Sequence, residues 1–294
     1  MNIGIVGLGS IGGSLGLDLR SRGHRVLGVA RRRETCQAAI ARQIVDDADV
    51  DFTLMESADL VFVCTPIAAI APTVQRLVPH LSSTAIITDV GSVKTPVAQA
   101  VAPLWPRFVP GHPMAGTERS GLDAAISNLF ADRPYAITPL ASTPPAATEQ
   151  VAAIAASLQA RVYYCTPEDH DRSVAWISHL PVMVAASLID ACLSEPSTTA
   201  IALAQKFAST GFRDTTRVGG GNPELGMMMA QYNRQELLRS LCTYRQRLDA
   251  FICAIESENW AALEQFLQRT QDARPQFLTF PDSIDSPPDR NSLE

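Results

Sequence analysis

The stretch NIGIVGLGSIGGSLGLDLRSRGHRVLGVARRRE, residues 2–34, decides the fold of the first part of the chain. Its opening β-rich run is followed by the pattern GxGxxG over residues 7–12, by a leucine-containing helical stretch and by a second strand, RVLGVA. Because the glycines follow a strand and open a helix within a βαβ unit of about thirty residues, they predict a dinucleotide site. Backbone N–H groups at the helix start approach the pyrophosphate in such a site, and a glycine-rich turn without a ligand is the alternative. The predicted cofactor contacts are Gly7, Leu8, Gly9, Ser10, Ile11 and Gly12.

The residues after the second strand predict which dinucleotide binds. An NAD site offers an acidic residue there to the ribose 2′-hydroxyl, whereas the 2′-phosphate of NADP requires cations. This chain has Ala30-Arg31-Arg32-Arg33, and its first acidic residue, Glu34, comes too late. We therefore expect NADP, with Arg31 and Arg32 on the 2′-phosphate, although a solvated basic loop would show the same pattern.

The α/β pattern continues beyond this unit. Strands are predicted at 59–64 and 85–90, with shorter ones near 107–110, 134–138 and 161–165. Since ligands bind at the carboxyl ends of parallel strands, three loops are expected to converge on the nicotinamide: Thr65-Pro66-Ile67, Gly91-Ser92-Val93-Lys94 and Gly111-His112-Pro113. Predicted cofactor contacts in this part are Cys64, Thr65, Pro66 and Ser92.

The character of the chain changes near Thr166. From there to about residue 270 the pattern indicates helices without strands, beginning with HDRSVAWISHLPVMVAASLIDACL and IALAQKFAST. Asn222 and Pro223 are typical of an N-cap and the first helical position. We predict an α/β protein: a Rossmann-type domain with a mainly parallel sheet over 1–166, an all-helical substrate-binding and dimerisation domain over 167–279, and a disordered tail over 280–294.

Composition limits the function classes. The chain has 294 residues, of which 46% are hydrophobic and 18% charged, and its net charge of −6 is not expected to attract nucleic acid or an anionic membrane. The six cysteines include no CxxC pair, which favours reduced thiols and no zinc site. A signal peptide is not recognisable, and LPVMVAASLI is too short to span a bilayer. We expect a cytoplasmic protein that acts on a small molecule.

Later motifs are more specific than the glycine pattern. DVGSVK at 89–94, GHPMAGTERSG at 111–121, HDRSVAWISHLP at 170–181 and GFRDTTRV at 211–218, together with the glycine-rich start, resemble the TyrA family of prephenate and arogenate dehydrogenases. The resemblance extends to about residue 270, and the arginines after the second strand are most similar to the cyanobacterial NADP-dependent arogenate dehydrogenases. It implies oxidative decarboxylation of L-arogenate to L-tyrosine with hydride transfer to NADP; the alternative is prephenate dehydrogenation to 4-hydroxyphenylpyruvate.

His112 is the candidate base for this reaction. An imidazole with the ordinary pKa of about 6.5 is largely neutral yet still basic near pH 7. Ser92, on a neighbouring loop, could hydrogen-bond one ring nitrogen of His112, and the resemblance implies that role for the pair. A loop histidine bonded to the backbone is the alternative for His112.

The helical half supplies the candidate substrate contacts. His170 and His179 are nine residues apart, which at about 100° per residue places them on nearly opposite helix faces and argues against a shared metal. The resemblance implies that His179 contacts substrate, the alternative being a core histidine, and Pro181 is expected to distort the helix near Ile177.

Cations are needed because the substrate implied by the resemblance is at least dianionic. Arg213 and Arg217, four residues apart, could share a helix face and bind carboxylate, unless they form a surface pair with Asp214 or Glu224. The resemblance favours Arg217. It also adds Gly116 and Thr117 as substrate contacts, while Glu118 is equally well a gating residue or a solvated acid paired with Arg119.

Two other function classes share part of this evidence. A β-hydroxyacid dehydrogenase or imine reductase would share the first ninety residues, but commonly uses a helix-borne lysine, and the only lysine of the helical half, Lys206, lies outside any motif. A non-catalytic NADP sensor would not need Ser92, His112 and Arg217 together. Apolar stripes in the helical half predict a homodimer through that domain.

Overall fold

The computed structural model describes residues 1–116 and 119–278 and contains two structural regions. The first is a six-stranded parallel sheet with strand order β3-β2-β1-β4-β5-β6, flanked by helices, and the second is helical. The predicted Rossmann-type fold with a helical C-terminal region is therefore confirmed. The sheet strands are β1 (Asn2–Val6), β2 (Arg25–Val29), β3 (Asp47–Asp49), β4 (Leu60–Val63), β5 (Ile86–Asp89) and β6 (Phe108–Val109).

Two apolar layers bury the faces of this sheet. On one face Ile3 and Ile5 pack with Leu15 and Leu19, and on the other Val61 packs among residues such as Ile70 and Val74. Successive side chains of a strand point to opposite faces, so a parallel sheet covered on both sides has nearly continuous hydrophobic strands. The covering helices are α1 (Ser10–Ser21), α2 (Arg33–Ala41), α3 (Ile67–Leu77), α4 (Thr95–Val101) and α5 (Pro145–Ser157).

A second, three-stranded sheet follows, with the order β7-β8-β9 (Gly111–Pro113, Pro134–Ile137 and Arg161–Tyr164). Strand β7 is antiparallel to β8, and His112 lies opposite Ala136. The expectation that Gly111-His112-Pro113 is a loop is therefore wrong. Glycine and proline are poor strand formers, and pairing with β8 overrides that local preference. The short acidic strand β3, which the pattern also missed, is held by pairing with the edge of β2.

The helical region begins at Pro167, three residues after β9 ends. Its helices are α6 (Pro167–Val174), α7 (Leu180–Leu193), α8 (Thr198–Phe207), α9 (Thr210–Thr216), α10 (Pro223–Tyr232), α11 (Arg234–Glu256) and α12 (Trp260–Ala273). The predicted cap of α10 is confirmed, because the Asn222 side chain accepts a hydrogen bond from the Glu224 N–H at 2.9 Å. The predicted boundary at residue 166 stays a prediction, and the tail predicted over 280–294 lies outside the described residues.

A π-helical turn, Ala175–His179, joins α6 to α7 without interruption. It lies immediately before Pro181, whose ring would clash with the Ile177 carbonyl in a regular α-helix. The local distortion expected there is thus present as a wider turn, in which hydrogen bonds run from residue i to i+5.

The continuous helical run Pro167–Leu193 has 27 residues, and its most apolar window has a mean hydropathy of 1.5. By length and composition alone this run is long enough to cross a membrane, so the expectation drawn from LPVMVAASLI does not hold for the longer helix that contains it. The run carries His170, Asp171 and His179, all buried against other parts of the same chain. The absence of a membrane partner stays a prediction.

Candidate active site

The glycine-rich turn leaves room for a ligand beside the start of α1. A Cβ on Gly7, whose φ is +106°, would lie 2.7 Å from the Cys64 carbonyl oxygen, and one on Gly12 would overlap the Gly7 carbonyl oxygen. Any larger residue would therefore disrupt the turn. A Cβ on Gly9, in contrast, would meet no atom within 4 Å. Gly9 is also the N-cap of α1 and provides no side-chain cap, which leaves the helix start open to an anion.

The loop after β4 lies against this turn. The Thr65 backbone nitrogen would be 3.2 Å from a Cβ on Gly7. The Thr65 hydroxyl is buried and has no hydrogen-bond partner among the described residues. Since buried polar groups are normally paired, this hydroxyl fits a contact with a bound dinucleotide. Burial raises the pKa of the neighbouring Cys64, which is therefore a neutral thiol.

Three arginines follow the end of β2, the strand next to β1 and its glycine-rich turn. β2 ends at Val29, and Arg31, Arg32 and Arg33 follow on the surface at the start of α2. Within the described part of the chain none of the three forms an ion pair with a carboxylate. Positive side chains at a helix N-terminus next to the glycine-rich turn fit a phosphate group.

A buried ion pair fixes the loop between β5 and α4. Lys94 Nζ binds the Asp89 carboxylate and also donates a 2.7 Å hydrogen bond to the Gly111 carbonyl. Asp89 in turn accepts hydrogen bonds from the Gly91 and Gly111 N–H groups, at 2.8 and 3.2 Å. Both charged side chains are fully buried. This pair therefore ties the DVGSVK loop to the start of β7, which carries His112.

His112 is buried, with 8% of its surface exposed. Burial, together with the neighbouring His170, Lys94 and His179, holds its pKa well below the ordinary histidine value of 6.5. The ring is therefore neutral at pH 7 and has one nitrogen free of a proton, as a base requires.

A chain of hydrogen bonds leads away from His112 into α6. His112 Nδ1 lies 2.9 Å from His170 Nε2, and His170 Nδ1 lies 2.8 Å from Asp171 Oδ1. The hydrogen-bond partner of His112 Nδ1 is thus His170. The expected hydrogen bond from Ser92 is not formed among the described residues, and Ser92 itself is half-buried on its loop. Its catalytic role stays a prediction.

Asp171 also joins the two regions of the molecule. Its carboxylate accepts hydrogen bonds from the backbone N–H groups of Lys94 and Thr95, at 2.7 and 2.8 Å. These are N–H groups at the first turn of α4, which a side-chain acceptor normally satisfies. A residue of the helical region therefore caps a helix of the Rossmann region, directly beside the histidines.

His179 lies in the same cluster as His112 and His170. Its surface is fully buried, and burial lowers its pKa to about 4. Asn233 Nδ2 lies 3.1 Å from His179 Nδ1 and donates a 2.7 Å hydrogen bond to the Asp171 carbonyl, while His179 Nε2 has no partner among the described residues. The expectation that His170 and His179 face opposite sides was wrong. A π turn advances by less than 100° per residue and so brings His179 round towards His170.

The two arginines of the FRDTTR motif differ. Arg213 is 72% exposed and pairs with Asp214 at 3.1 Å, which is the surface pair considered as the alternative. Arg217 follows α9 as the first residue of a 3₁₀ turn, Arg217–Gly220, that packs on α7. A Cβ on Gly219 would lie 2.5 Å from the Ala185 carbonyl carbon, so this turn approaches the α7 backbone closely. Arg217 therefore belongs to a turn that packs on α7, the helix that begins directly after His179.

Two further predicted contacts, Gly116 and Thr117, follow β7 in the sequence. Gly116 is exposed, and a Cβ built on it would meet no atom within 4 Å. Thr117 and Glu118 lie outside the described residues. The substrate role predicted for Gly116 and Thr117 stays a prediction.

Sequence reasoning did not identify four residues that organise this site: Asp89, Lys94, Asp171 and Asn233. Asp89 begins and Lys94 ends the DVGSVK motif, and Asp171 follows His170 in its motif, so their position within these motifs was an available signal. Asn233 lies outside every motif, and only the packing of α11 against α6 reveals it. Among the described residues no group of three or more histidine, cysteine or acidic side chains could hold a metal.

Comparison with known proteins gives the same assignment over most of the chain. Residues 15–164 match the model of the prephenate dehydrogenase nucleotide-binding domain, and residues 166–269 match that of the prephenate dehydrogenase dimerization domain. The prephenate dehydrogenase of Bacillus subtilis is 32% identical over 277 residues, which cover 92% of this chain and 74% of that protein.

Two solved structures are similar over nearly their full length. The Synechocystis arogenate dehydrogenase has a TM-score of 0.86 at 52% identity and covers 94% of this chain and 100% of that one. The prephenate dehydrogenase of A. aeolicus, in complex with hydroxyphenyl propionate and NAD+, has a TM-score of 0.88 at 27% identity and covers 94% and 98%. With both domains matched and a nucleotide site and a buried neutral histidine in place, the chain belongs to the TyrA family of prephenate and arogenate dehydrogenases.

Proposed function

We propose that this dehydrogenase converts L-arogenate to L-tyrosine with NADP as its cofactor. The choice of arogenate as substrate is supported by the 52% identity with an arogenate dehydrogenase over the whole of that chain. NADP is supported by the exposed Arg31 and Arg32 at the end of β2, where an NAD site would have an acidic residue.

A second candidate has support of its own. The relatives at 32% and 27% identity are prephenate dehydrogenases, and the structure of one of them contains NAD+. Prephenate and arogenate differ only in a keto or an amino group on the side chain, far from the ring carbon that is oxidised. Prephenate with NAD is therefore the alternative that the assay must separate.

In this proposal His112 removes the proton from the ring hydroxyl. The bound nicotinamide supplies the hydride acceptor, and loss of the ring carboxylate as CO2 makes the ring aromatic. Since aromatisation favours the products, the chain must mainly orient the ring and take one proton. His112 can take that proton because burial keeps the ring neutral. Ser92, on the neighbouring loop, stays the proposed second member of the catalytic pair.

Two groups of the helical region are proposed to hold the substrate. The Asn233 amide must donate to the Asp171 carbonyl, so its NH2 group also faces His179 Nδ1, which then accepts. The proton of neutral His179 is therefore on Nε2, a buried donor without a partner among the described residues. Such a donor fits a substrate oxygen. Arg217, Gly116 and Thr117 are proposed to complete the substrate site, with Arg217 on a carboxylate.

The helical region is proposed to form a homodimer. Its exposed apolar side chains include Phe207 at 75%, Leu193 at 69% and a set on α11, namely Leu238, Leu248, Ile252 and Ile255. Exposure of this kind over one region marks an interaction surface. The matched family model describes this part of the chain as a dimerization domain. We further propose that the protein is cytoplasmic.

One assay tests the proposed substrate and cofactor together. The purified chain is given arogenate or prephenate with NADP or NAD, and formation of the reduced nicotinamide is followed by its absorbance. We expect the highest kcat/KM for arogenate with NADP. A higher kcat/KM for prephenate would show that prephenate, and not arogenate, is the substrate. A preference for NAD would contradict the proposed binding of the 2′-phosphate by Arg31 and Arg32. Turnover of a β-hydroxyacid or an imine instead would contradict both candidates.

A further inference from the structure

His112 Nδ1 contacts His170, and His170 is held in turn by Asp171. Asp171 accepts hydrogen bonds from two backbone N–H groups and lies 2.8 Å from His170 Nδ1. Although burial raises the pKa of Asp171, the hydrogen bonds from His170, Lys94 and Thr95 lower it below its ordinary value. Asp171 is therefore ionised, and an ionised carboxylate can only accept.

The direction of every hydrogen bond in the chain follows from that carboxylate. His170 must place a proton on Nδ1 in order to donate to Asp171. Burial lowers the pKa of His170 in spite of this carboxylate, so the ring is neutral and carries one proton only. Its Nε2 is then an acceptor, and the 2.9 Å contact requires His112 to donate from Nδ1.

We propose that His170 is a positioning residue that holds His112 in the tautomer protonated at Nδ1, so that Nε2 is the atom that takes the substrate proton. This inference rests on the proposed role of His112 as the base. A free histidine side chain in water prefers the opposite tautomer, with its proton on Nε2, which cannot accept a proton there. Without His170, a large part of the enzyme would therefore hold its base in the wrong form.

The surrounding charges favour this arrangement. Lys94 approaches from the β5–α4 loop and is paired with Asp89, while His179 approaches from the π turn. Both Lys94 and His179 disfavour a second proton on His112, and Lys94 also disfavours one on His170. Among the described residues, Asp171 is the only carboxylate that forms a hydrogen bond with either ring. The rings of His112 and His170 are consequently kept neutral, and the directions of their hydrogen bonds stay fixed.

The tautomer can be observed directly. The protein is labelled with ¹⁵N-histidine, and the ring resonances of its five histidines are recorded at neutral pH and assigned with single-histidine variants. We expect His112 to carry its proton on Nδ1 in the wild type, and a substantial population with the proton on Nε2 in His170→Leu. A wild-type His112 protonated on Nε2 would overturn the inference, and so would an unchanged tautomer in His170→Leu.

A matched pair of variants links the tautomer to turnover. His170→Leu removes the acceptor, whereas His170→Gln keeps a carbonyl oxygen that can accept from His112 Nδ1. We expect kcat to fall at least about tenfold in His170→Leu, less than the ~10²–10⁴-fold loss of a general base, and to recover partly in His170→Gln. NADP affinity should stay unchanged in both. Equal losses in the two variants, or losses that follow the melting temperature, would overturn the positioning role.

The two experiments separate this inference from the proposed function. If the tautomer is as inferred but His112→Ala keeps normal turnover, the proposed base is wrong and His170 has no catalytic consequence. If His112→Ala is inactive but the wild-type tautomer is reversed, the base stands and His170 does not position it. If His170→Leu does not fold, the wild-type spectrum and the His170→Gln variant still decide the question.

Discussion

The nucleotide-binding turn and the histidine cluster are built in opposite ways. The turn, the first helix and the arginines all lie within residues 2–34, so neighbouring residues along the chain form one site. The cluster, in contrast, joins the β5–α4 loop, β7, α6, the π turn and α11, which are spread from residue 89 to residue 233. A local site can be identified from a motif, whereas a site made of distant segments depends on how those segments pack. Variants in one region should therefore leave the other unaffected.

The largest expected effect is on chemistry alone. His112→Asn removes the proposed base, and kcat should fall by ~10²–10⁴-fold. The dissociation constant for NADP should hardly change, because the glycine-rich turn is untouched. Steady-state kinetics and cofactor titration measure the two quantities separately. A His112→Asn enzyme with near-normal kcat, or one that has lost NADP binding, would break the separation between the two regions.

The second effect is on stability. Lys94→Met leaves Asp89 as a buried charge without its ion-pair partner, which typically costs about 3–5 kcal/mol. We expect the free energy of unfolding, measured by urea denaturation, to fall by that amount. Lys206→Met, in the exposed α8 helix, is the matched control and should change little. A loss below about 1 kcal/mol in Lys94→Met would mean that the pair is not needed to hold the loop, since surface substitutions have effects of that size.

Acid should destabilise the histidine cluster selectively. The pKa of His179 is about 4 in the folded protein, below the ordinary 6.5, so its contribution is complete above pH 6.5 and is lost as pH falls towards 4. Each pKa unit corresponds to about 1.4 kcal/mol, which makes this loss roughly 3 kcal/mol. Unfolding measured between pH 7 and 4 should show the decline, with a shallower slope in His179→Gln. Identical slopes in the wild type and in His179→Gln would show that His179 does not cause the loss of stability in acid.

A smaller effect should be confined to the cofactor. In Arg31→Ala/Arg32→Ala the 2′-phosphate loses charge-assisted hydrogen bonds of about 1.5–3 kcal/mol each, so NADP should bind at least about tenfold more weakly. NAD binding and the kcat at saturating NADP should be nearly unchanged. Isothermal titration with each dinucleotide gives the comparison. An equal loss for NAD and NADP would contradict the phosphate role.

The smallest effects should separate two neighbouring arginines. Arg217→Ala should raise KM with a smaller change in kcat, as expected when a substrate carboxylate loses its partner. Arg213→Ala is the internal control, since Arg213 is exposed and paired with Asp214, and it should leave both constants within about twofold. If Arg213→Ala raises KM more than Arg217→Ala does, the assignment of the two arginines is reversed.

Much of the architecture could be predicted because its signals are local. The strand-turn-helix order around Gly7 and Gly12, the buried strands β4 and β5, and the Asn222 cap all follow from short-range patterns. His112 could also be singled out, since a motif surrounds it.

The partners of His112 could not be predicted, for two physical reasons. Strand β7 forms only because β8 pairs with it, and the side on which His179 lies depends on a π turn that the 100° rule does not include. Asn233 meets His179 only after α11 has packed against α6.

The π turn can also be viewed as one extra residue in the spacing between His170 and His179. Deleting Trp176 or Ile177 would leave both histidines and nearly all of the surrounding motif intact. The segment could then close into an ordinary α-helix, in which the two histidines are eight residues apart and the Pro181 ring clashes with the carbonyl four residues before it. His179 would change direction relative to Asn233 even though no functional residue had been removed. Substitutions at 176 and 177 should therefore be tolerated far better than a change in the length of this segment.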